Sequence, residues 1–386
     1  MEKVVIVDAV RSPIGKRGGG LAEVHPATLL GKVLTALVGR TGIDPALVEQ
    51  VVGGCVTQIG EQSFNTTRTA WLAAGLPIGV AATTVDTQCG SSQQATNIVT
   101  SMIASGVIDV GIACGVESMS RLPIAANSES SLGFGVALPK TYFEHLEHTT
   151  QFEGAERIAD NWGVTRTDSD EFALESHRRA AQAWEGGRFE SQVVPIEVPT
   201  DDGQIAVRTC DEGLRDTSLE ALAGLKPVAR PDGVITAGSS SQISDGAGAV
   251  LMMSARRAEE LGLRARAEVI DTCLVGVDPV TMLTGPIPAT QRLLDRSGMK
   301  IDDVDLVEIN EAFAPIVLAW QRELGADLER VNPNGGAIAH GHPLGATGAI
   351  LLGKLLHELE RTEAETGLVT MCCGGGLGTG TLVRRI

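Results

Sequence analysis

The chain has 386 residues, enough for two or three domains with a large buried core, which excludes a minimal binding module. Its 48 acidic residues outnumber the 31 basic ones, and the net charge of −17 offers nothing global to phosphate backbones or anionic lipid, so no nucleic-acid partner is expected. Hydrophobic residues make up 43% and charged residues 20%, a globular balance, while 46 glycines and seven cysteines in a chain whose first ten residues lack a signal-peptide pattern point to reduced thiols and a cytoplasmic protein.

No apolar run reaches the 18 or so residues that cross a bilayer, so no membrane span is expected. Val4-Val5-Ile6-Val7-Asp8-Ala9 is a continuous run that predicts a strand buried on both faces. A helix is predicted over Pro26 to Gly39, where Leu29, Leu30, Val33, Leu34, Leu37 and Val38 recur at three- and four-residue intervals. Val48 to Cys55 then reads as a strand and begins a βαβ pattern. The pattern returns later: Ala267 to Asp271 echoes the first strand, Ala289 to Gly298 the helix, and Val304 to Ile309 the second strand. Cys89-Gly90-Ser91-Ser92 and His342-Pro343-Leu344-Gly345 each open an apolar helix, and each helix is followed by a short buried strand, at Asp109 to Gly115 and at Gly367 to Cys373. These ordered echoes predict a duplicated α/β unit. Between the halves, residues 116–244 form a polar insertion with helical patches at Glu153 to Trp162 and Asp168 to Trp184, expected to cap the active face.

Four segments could carry chemistry. Cys89 precedes an apolar helix, where unsatisfied N–H groups favour a thiolate, so it is a candidate nucleophile; a small buried hydrophobe is the plain alternative. His340 and His342 lie in a stretch with five glycines, and the proline after His342 suits a helix's first turn, so a general base is expected there against the alternative of capping or solvated histidines. Cys372 and Cys373 precede Gly374-Gly375-Gly376-Leu377-Gly378, material for an oxyanion hole or merely a flexible turn. Asn310 in Asn310-Glu311-Ala312-Phe313 could cap a helix. A metal site of Cys89, His340, His342 and Cys372 lacks the usual zinc spacing, and no metal is expected.

A Cys-Gly-Ser turn, an Asn-Glu-Ala-Phe block, Gly335-Gly-Ala-Ile-Ala-His-Gly-His-Pro-Leu-Gly345 and a final Cys372-Cys-Gly-Gly-Gly376, in this order, resemble the thiolase family from end to end. The resemblance implies an α/β fold of two duplicated βαβαβαββ halves forming a layered core, residues 1–115 plus 245–263 and residues 264–386. The inserted loop domain, residues 116–244, would bind coenzyme A and the acyl group. It further implies an acyltransferase with coenzyme A as co-substrate and no permanent cofactor, assembled as a homodimer or homotetramer.

Carried over by motif, Cys89 would be the acylated nucleophile and His342 its base. Cys372 would exchange the substrate's α-carbon proton. Asn310 would hold a water beside His342, and the N–H groups of Cys89 and Gly374 would form an oxyanion hole. Ser241 would meet the pantetheine arm and Arg215 the nucleotide end, although Leu214-Arg215-Asp216-Thr217-Ser218 is shorter than the family's pattern. Arg178, Arg179 and Lys226 are further candidates for the anionic cofactor. His340 stands where relatives usually carry an aliphatic residue, as does Cys373.

Short-chain biosynthetic members carry a His-Met-Gly block shortly before an Ala-Glu pair, whereas here Thr150-Gln151-Phe152-Glu153-Gly154 precedes Ala155-Glu156. With Gly53 to Gln62 and Ser239 to Asp245, that stretch resembles thiolases that shorten steroid side chains. A degradative enzyme for bulky or long acyl chains is therefore expected, with acetoacetyl-CoA synthesis as the alternative. A ketoacyl synthase or a noncatalytic lipid-binding relative is more distant.

Overall fold

The computed structural model describes residues 2–128, 133, 135–200 and 203–386. The first half runs β1 (Val4–Arg11), β2 (Gly15–Lys16), α1 (Pro26–Thr41), β3 (Gln50–Gly54), α2 (Thr66–Ala73), β4 (Ala81–Val85), α3 (Ser91–Ala104) and β5 (Val110–Ser118). The insertion contributes α4 (Gln151–Trp162), α5 (Arg166–Glu185), the hairpin β6 (Ile196–Pro199) and β7 (Ile205–Arg208), and α6 (Leu219–Ala223). The chain then returns through β8 (Ser244–Ser254) and α7 (Ala255–Glu260) to β9 (Ala267–Gly276), α8 (Pro286–Ser297), β10 (Leu306–Ile309), α9 (Ala314–Leu324), α10 (Ala337–His340), α11 (Thr347–Thr362), β11 (Thr366–Cys373) and β12 (Leu377–Arg385).

The main sheet has the order β10-β11-β12-β9-β1-β8-β5-β3-β4, with β2 added to β8. Its two wings repeat one another about the β1–β9 seam, where only Val5↔Glu268 and Ile6↔Ala267 pair. β3 runs parallel to β5 and β5 antiparallel to β8; β10 likewise runs parallel to β11 and β11 antiparallel to β12. This is the duplication read from the sequence echoes.

Strand alternation explains how one sheet serves three cores. Val5, Val7 and Val10 face α1 and α2, whereas Val4, Ile6 and Ala9 face a central layer containing α3 and α11. In the other wing Leu368 and Leu382 face the α8–α9 side, while Val369, Met371 and Val383 return to the central layer. The result is a stack of helices, half-sheet, shared helices, half-sheet and helices. It explains why α11 is buried around nearly its whole circumference.

Most predicted elements are found within a few residues. The first helix runs to Thr41 and stops at Gly42, which holds a left-handed φ of 69°. The glycine-rich end is corrected: only Gly374 to Gly376 form a turn, and Gly378 and Gly380 lie inside β12. A Cβ on Gly378 would lie 2.4 Å from Gly285 backbone, so close packing of β12 against the start of α8 requires glycine there. Among the described residues no helix is long and apolar enough to cross a membrane.

Candidate active site

The starts of α3 and α11 meet in the central layer. A Cβ on Gly348 would sit 2.3 Å from the Gln93 nitrogen, and Ser92 Oγ accepts the Ala349 N–H at 3.0 Å. The turns preceding these helices therefore converge, and they carry Cys89 and His342.

The Cys89 turn is strained and fastened. Gln88 holds φ of 50°, unfavourable without glycine, directly ahead of the cysteine. Asp86 Oδ1 accepts the Gln88 N–H at 2.7 Å, and Ser91 Oγ donates to the Gln88 carbonyl at 2.6 Å. α3 begins at Ser91 with Gly90 as its N-cap, so Cys89 stands one residue ahead of the cap. This corrects the expectation of a resting thiolate. Burial pushes the Cys89 thiol up to about 11, and the N–H groups of Gly374 and Cys89 oppose that only in part.

His342 is aimed by a different device. The Thr347 hydroxyl donates to the Pro343 carbonyl at 2.9 Å, so its oxygen accepts from His342 Nδ1–H at 2.6 Å. That fixes the tautomer and leaves the Nε2 lone pair as an acceptor, which takes Asn310 Nδ2–H at 3.3 Å. Burial pushes His342 down to about 3, so the ring is neutral and able to accept a proton. Thr347→Val keeps the side chain's size and deletes the acceptor; kcat should fall roughly tenfold while Thr347→Ser stays near wild type, as steady-state kinetics would show.

Asn310 does not cap a helix: α9 starts at Ala314 behind Phe313, and the Asn310 side chain turns to His342 instead. Its Oδ1 is buried and has no protein partner. Cys372 and Cys373 are fully buried at the end of β11. Burial holds Cys372 well above an ordinary thiol, with Cys89 and Cys373 nearby adding to the effect. Gly374 follows them in the turn and points its N–H at Cys89. The structure thus brings Cys89, His342, Asn310, Cys372 and Gly374 to one end of the central layer.

His340 is separated from this group. Its Nε2 lies 2.8 Å from the Asn334 carbonyl and its Nδ1 3.0 Å from Asp211. Glu117 was missed in the sequence. This buried carboxylate accepts the N–H groups of Val56 at 2.9 Å, Thr57 at 3.0 Å and Gly345 at 2.9 Å, tying the end of β3 to the His342 loop. Its one sequence signal is a lone acid closing the apolar run Val110 to Val116.

Residues 4–256 match the family described as thiolase, N-terminal domain, and residues 263–385 match thiolase, C-terminal domain. The chain belongs to the thiolase family. It is 47% identical to the steroid 3-ketoacyl-CoA thiolase FadA6 of Mycobacterium tuberculosis, covering 100% of this chain and 95% of that one. It is 42% identical to a beta-ketoadipyl-CoA thiolase of Pseudomonas aeruginosa, over 100% and 99% of the two chains. The solved acetyl-CoA acetyltransferase of Bacillus anthracis superimposes with a TM-score of 0.92 at 40% identity, covering 100% of this chain and 99% of that one. This thiolase is therefore an acyltransferase that takes coenzyme A as a substrate rather than as a resident cofactor.

The loop-domain cations of this thiolase separate on inspection. Arg179 is occupied: it pairs with Glu175 and donates to the carbonyls of Leu328 and Val331 at 3.0 and 2.8 Å. Arg215 is exposed and lines a cleft of about 440 Å³ with His177, Arg178 and Thr217. Lys226 is exposed outside that cleft. Ser241 joins the Asn310 block through its N–H, which donates to the Ala312 carbonyl at 2.9 Å.

Proposed function

We propose that this thiolase cleaves a bulky or long-chain 3-ketoacyl-CoA into acetyl-CoA and a shortened acyl-CoA. The observation that carries the reaction is the fixed tautomer of His342, which places a neutral base in the same site as two un-ionised thiols. His342 Nε2 takes the Cys89 proton, and the sulfur attacks the 3-keto carbon. The N–H groups of Cys89 and Gly374 stabilise the resulting oxyanion. The bond between the second and third carbons then breaks, its electron pair passing to the acetyl-CoA carbon, which takes a proton from Cys372. Free coenzyme A gives its thiol proton to the Cys372 thiolate and attacks the acyl group on Cys89. Cys89 leaves as thiolate and recovers its proton from His342, which closes the cycle. Asn310, with its unpartnered Oδ1, would hold the water that lets His342 polarise the thioester oxygen.

The bulky-chain assignment is supported by the 47% identity to a steroid 3-ketoacyl-CoA thiolase and by Phe152. Phe152 stands edge-on to Phe313 at 5.5 Å, and Phe313 shares an apolar cluster with Ile235, Leu283 and Cys372. An acetyl-CoA acetyltransferase of Pseudomonas aeruginosa at 41% identity supports acetoacetyl-CoA chemistry as the second reading. The expected result is a higher kcat/KM for a long or steroidal 3-ketoacyl-CoA than for acetoacetyl-CoA, and the reverse preference would overturn the assignment.

In this reading Arg215, with Arg178 and His177 along the cleft, meets the nucleotide end of coenzyme A, and Ser241 meets its pantetheine arm. Residues 116–244 act as the coenzyme A and acyl-binding insertion between the two halves. The enzyme works as a homo-oligomer in the cytoplasm. β4 supports the assembly: it ends the sheet, is only half-buried, and lies near exposed Phe64 and Ile78, features of an edge that a second copy would cover.

A further inference from the structure

Among the buried charges that the reaction scheme does not use is a group around His340. His340 stands two residues before His342, and the glycine between them holds φ of 110°, where a Cβ would also strike Ser244 Oγ at 2.2 Å. The two rings consequently enter different surroundings. His342 meets Asn310 and Thr347, whereas His340 lies between the Asn334 carbonyl and Asp211 and stands edge-on to Phe189 at 5.2 Å.

Asp211 is the hub of this second group. It takes both Arg11 nitrogens, at 2.7 and 3.1 Å, and the Ile14 N–H at 2.8 Å, while Arg11 also donates to Gln192 at 3.0 Å. The side chains of Arg11, Asp211 and His340 are 2%, 0% and 3% exposed, so water does not compete for these contacts. Asp211 shares a short segment with Arg215, and His340 shares a loop with His342. A second fastening runs beside the first: Gln242 Nε2 donates to the carbonyls of Gly213 at 2.7 Å and Ile338 at 2.9 Å. Arg215 reaches Gln242 Oε1 at 3.4 Å. Finally, a Cβ on Gly213 would lie 2.6 Å from the Ala339 oxygen and 2.7 Å from that of His340, so the two segments are in direct contact.

We propose that His340 is a positioning residue which, through Asp211 and Arg11, locks the segment carrying Arg215 onto the loop carrying His342, so that coenzyme A binding and placement of the base depend on one clamp. This rests on the reading of His342 as base and Arg215 as a coenzyme A contact. Without the His340 ring the loop loses the Nε2–H donation to the Asn334 carbonyl, the 3.0 Å approach to Asp211, which is not a hydrogen bond, and the edge contact with Phe189, and with them its register against residues 211–215.

The test is thiolysis kinetics of the full-length enzyme with coenzyme A varied. The rate is expressed per folded chain, counted by size-exclusion chromatography, so that unfolded chains do not count. Arg215→Ala should raise the KM for coenzyme A with little change in kcat, and His342→Ala should lower kcat. His340→Leu should do both, lowering kcat roughly tenfold and raising the KM severalfold. His340→Gln, whose amide can still serve Asn334 or Asp211, should recover most of both constants. If His340→Leu does not fold, Asp211→Asn, which keeps the volume and loses the charge, carries the same expectation. Unchanged constants, a change in kcat alone, or a glutamine variant no better than leucine would overturn the proposal. Should Arg215→Ala leave the KM unmoved, the coenzyme A reading fails, whereas a joint change in His340→Leu still upholds the clamp.

Discussion

Cys89→Ala is expected to abolish acyl-enzyme formation and to lower thiolysis by roughly four orders of magnitude or more, with the fold intact. The reason is geometric as well as chemical. Cys89 is the cysteine presented by the strained turn at Gln88, with the Gly374 N–H directed at its sulfur. Cys372 and Cys373 sit on a different element, at the end of β11, and cannot take over that position. Alanine removes one sulfur from a site already buried, so the cost to stability should be small beside the loss of rate. Mass spectrometry after incubation with an acyl-CoA measures this directly: an acyl group on the Cys89 peptide in the wild type and none in the variant. Acylation at another residue in both proteins would refute the assignment.

Cys372→Ala is expected to separate the two half-reactions. Acyl transfer from an acyl-CoA to Cys89 needs the nucleophile, the base and the oxyanion hole, none of which this substitution removes. Cleavage of the carbon–carbon bond also needs an acid for the departing carbon, and thiolysis should fall by roughly a thousandfold. Labelled acyl-CoA exchange and 3-ketoacyl-CoA cleavage, measured on one preparation, provide the two readouts. Equal retention of both would remove Cys372 from the chemistry and favour a ketoacyl-synthase type of reaction, which uses one cysteine.

Much of the fold was legible because it is written in local pattern. The run at Val4 to Ala9 carries apolar residues on successive positions, which only a strand covered on both sides requires, and the structure shows different helix layers on its two faces. The spacing from Leu29 to Val38 defined α1 because its buried side is a single stripe. The end of the chain was less legible. β12 carries Gly378, Gly380 and three threonines or valines in place of a plain apolar run, and its glycines answer to α8, about ninety residues earlier, rather than to their own neighbours. The β6–β7 hairpin was also unseen, since its four-residue strands give too short a pattern to read.

The candidate site divides along the same line. Sequence alone determined which residue types stand at each motif and that two similar halves carry them, because side-chain identity and periodicity are local properties. It favoured His342 over His340 through the proline that follows His342, but both occupy the same glycine-rich stretch and their surroundings were not legible. The tertiary structure separates the two rings through Gly341, which sends one to Asn310 and Thr347 and the other towards Asp211. Nor could it decide the protonation of Cys89. A helix start argues for a thiolate, but burial outweighs a helix terminus that begins two residues later. Thr347 and Asp211 have no signature of their own, and Glu117 only that of a lone acid closing an apolar run, because each matters only through a partner far away in the chain or through a tautomer. Identity is carried by the chain; desolvation and hydrogen-bond direction exist only once distant segments have met.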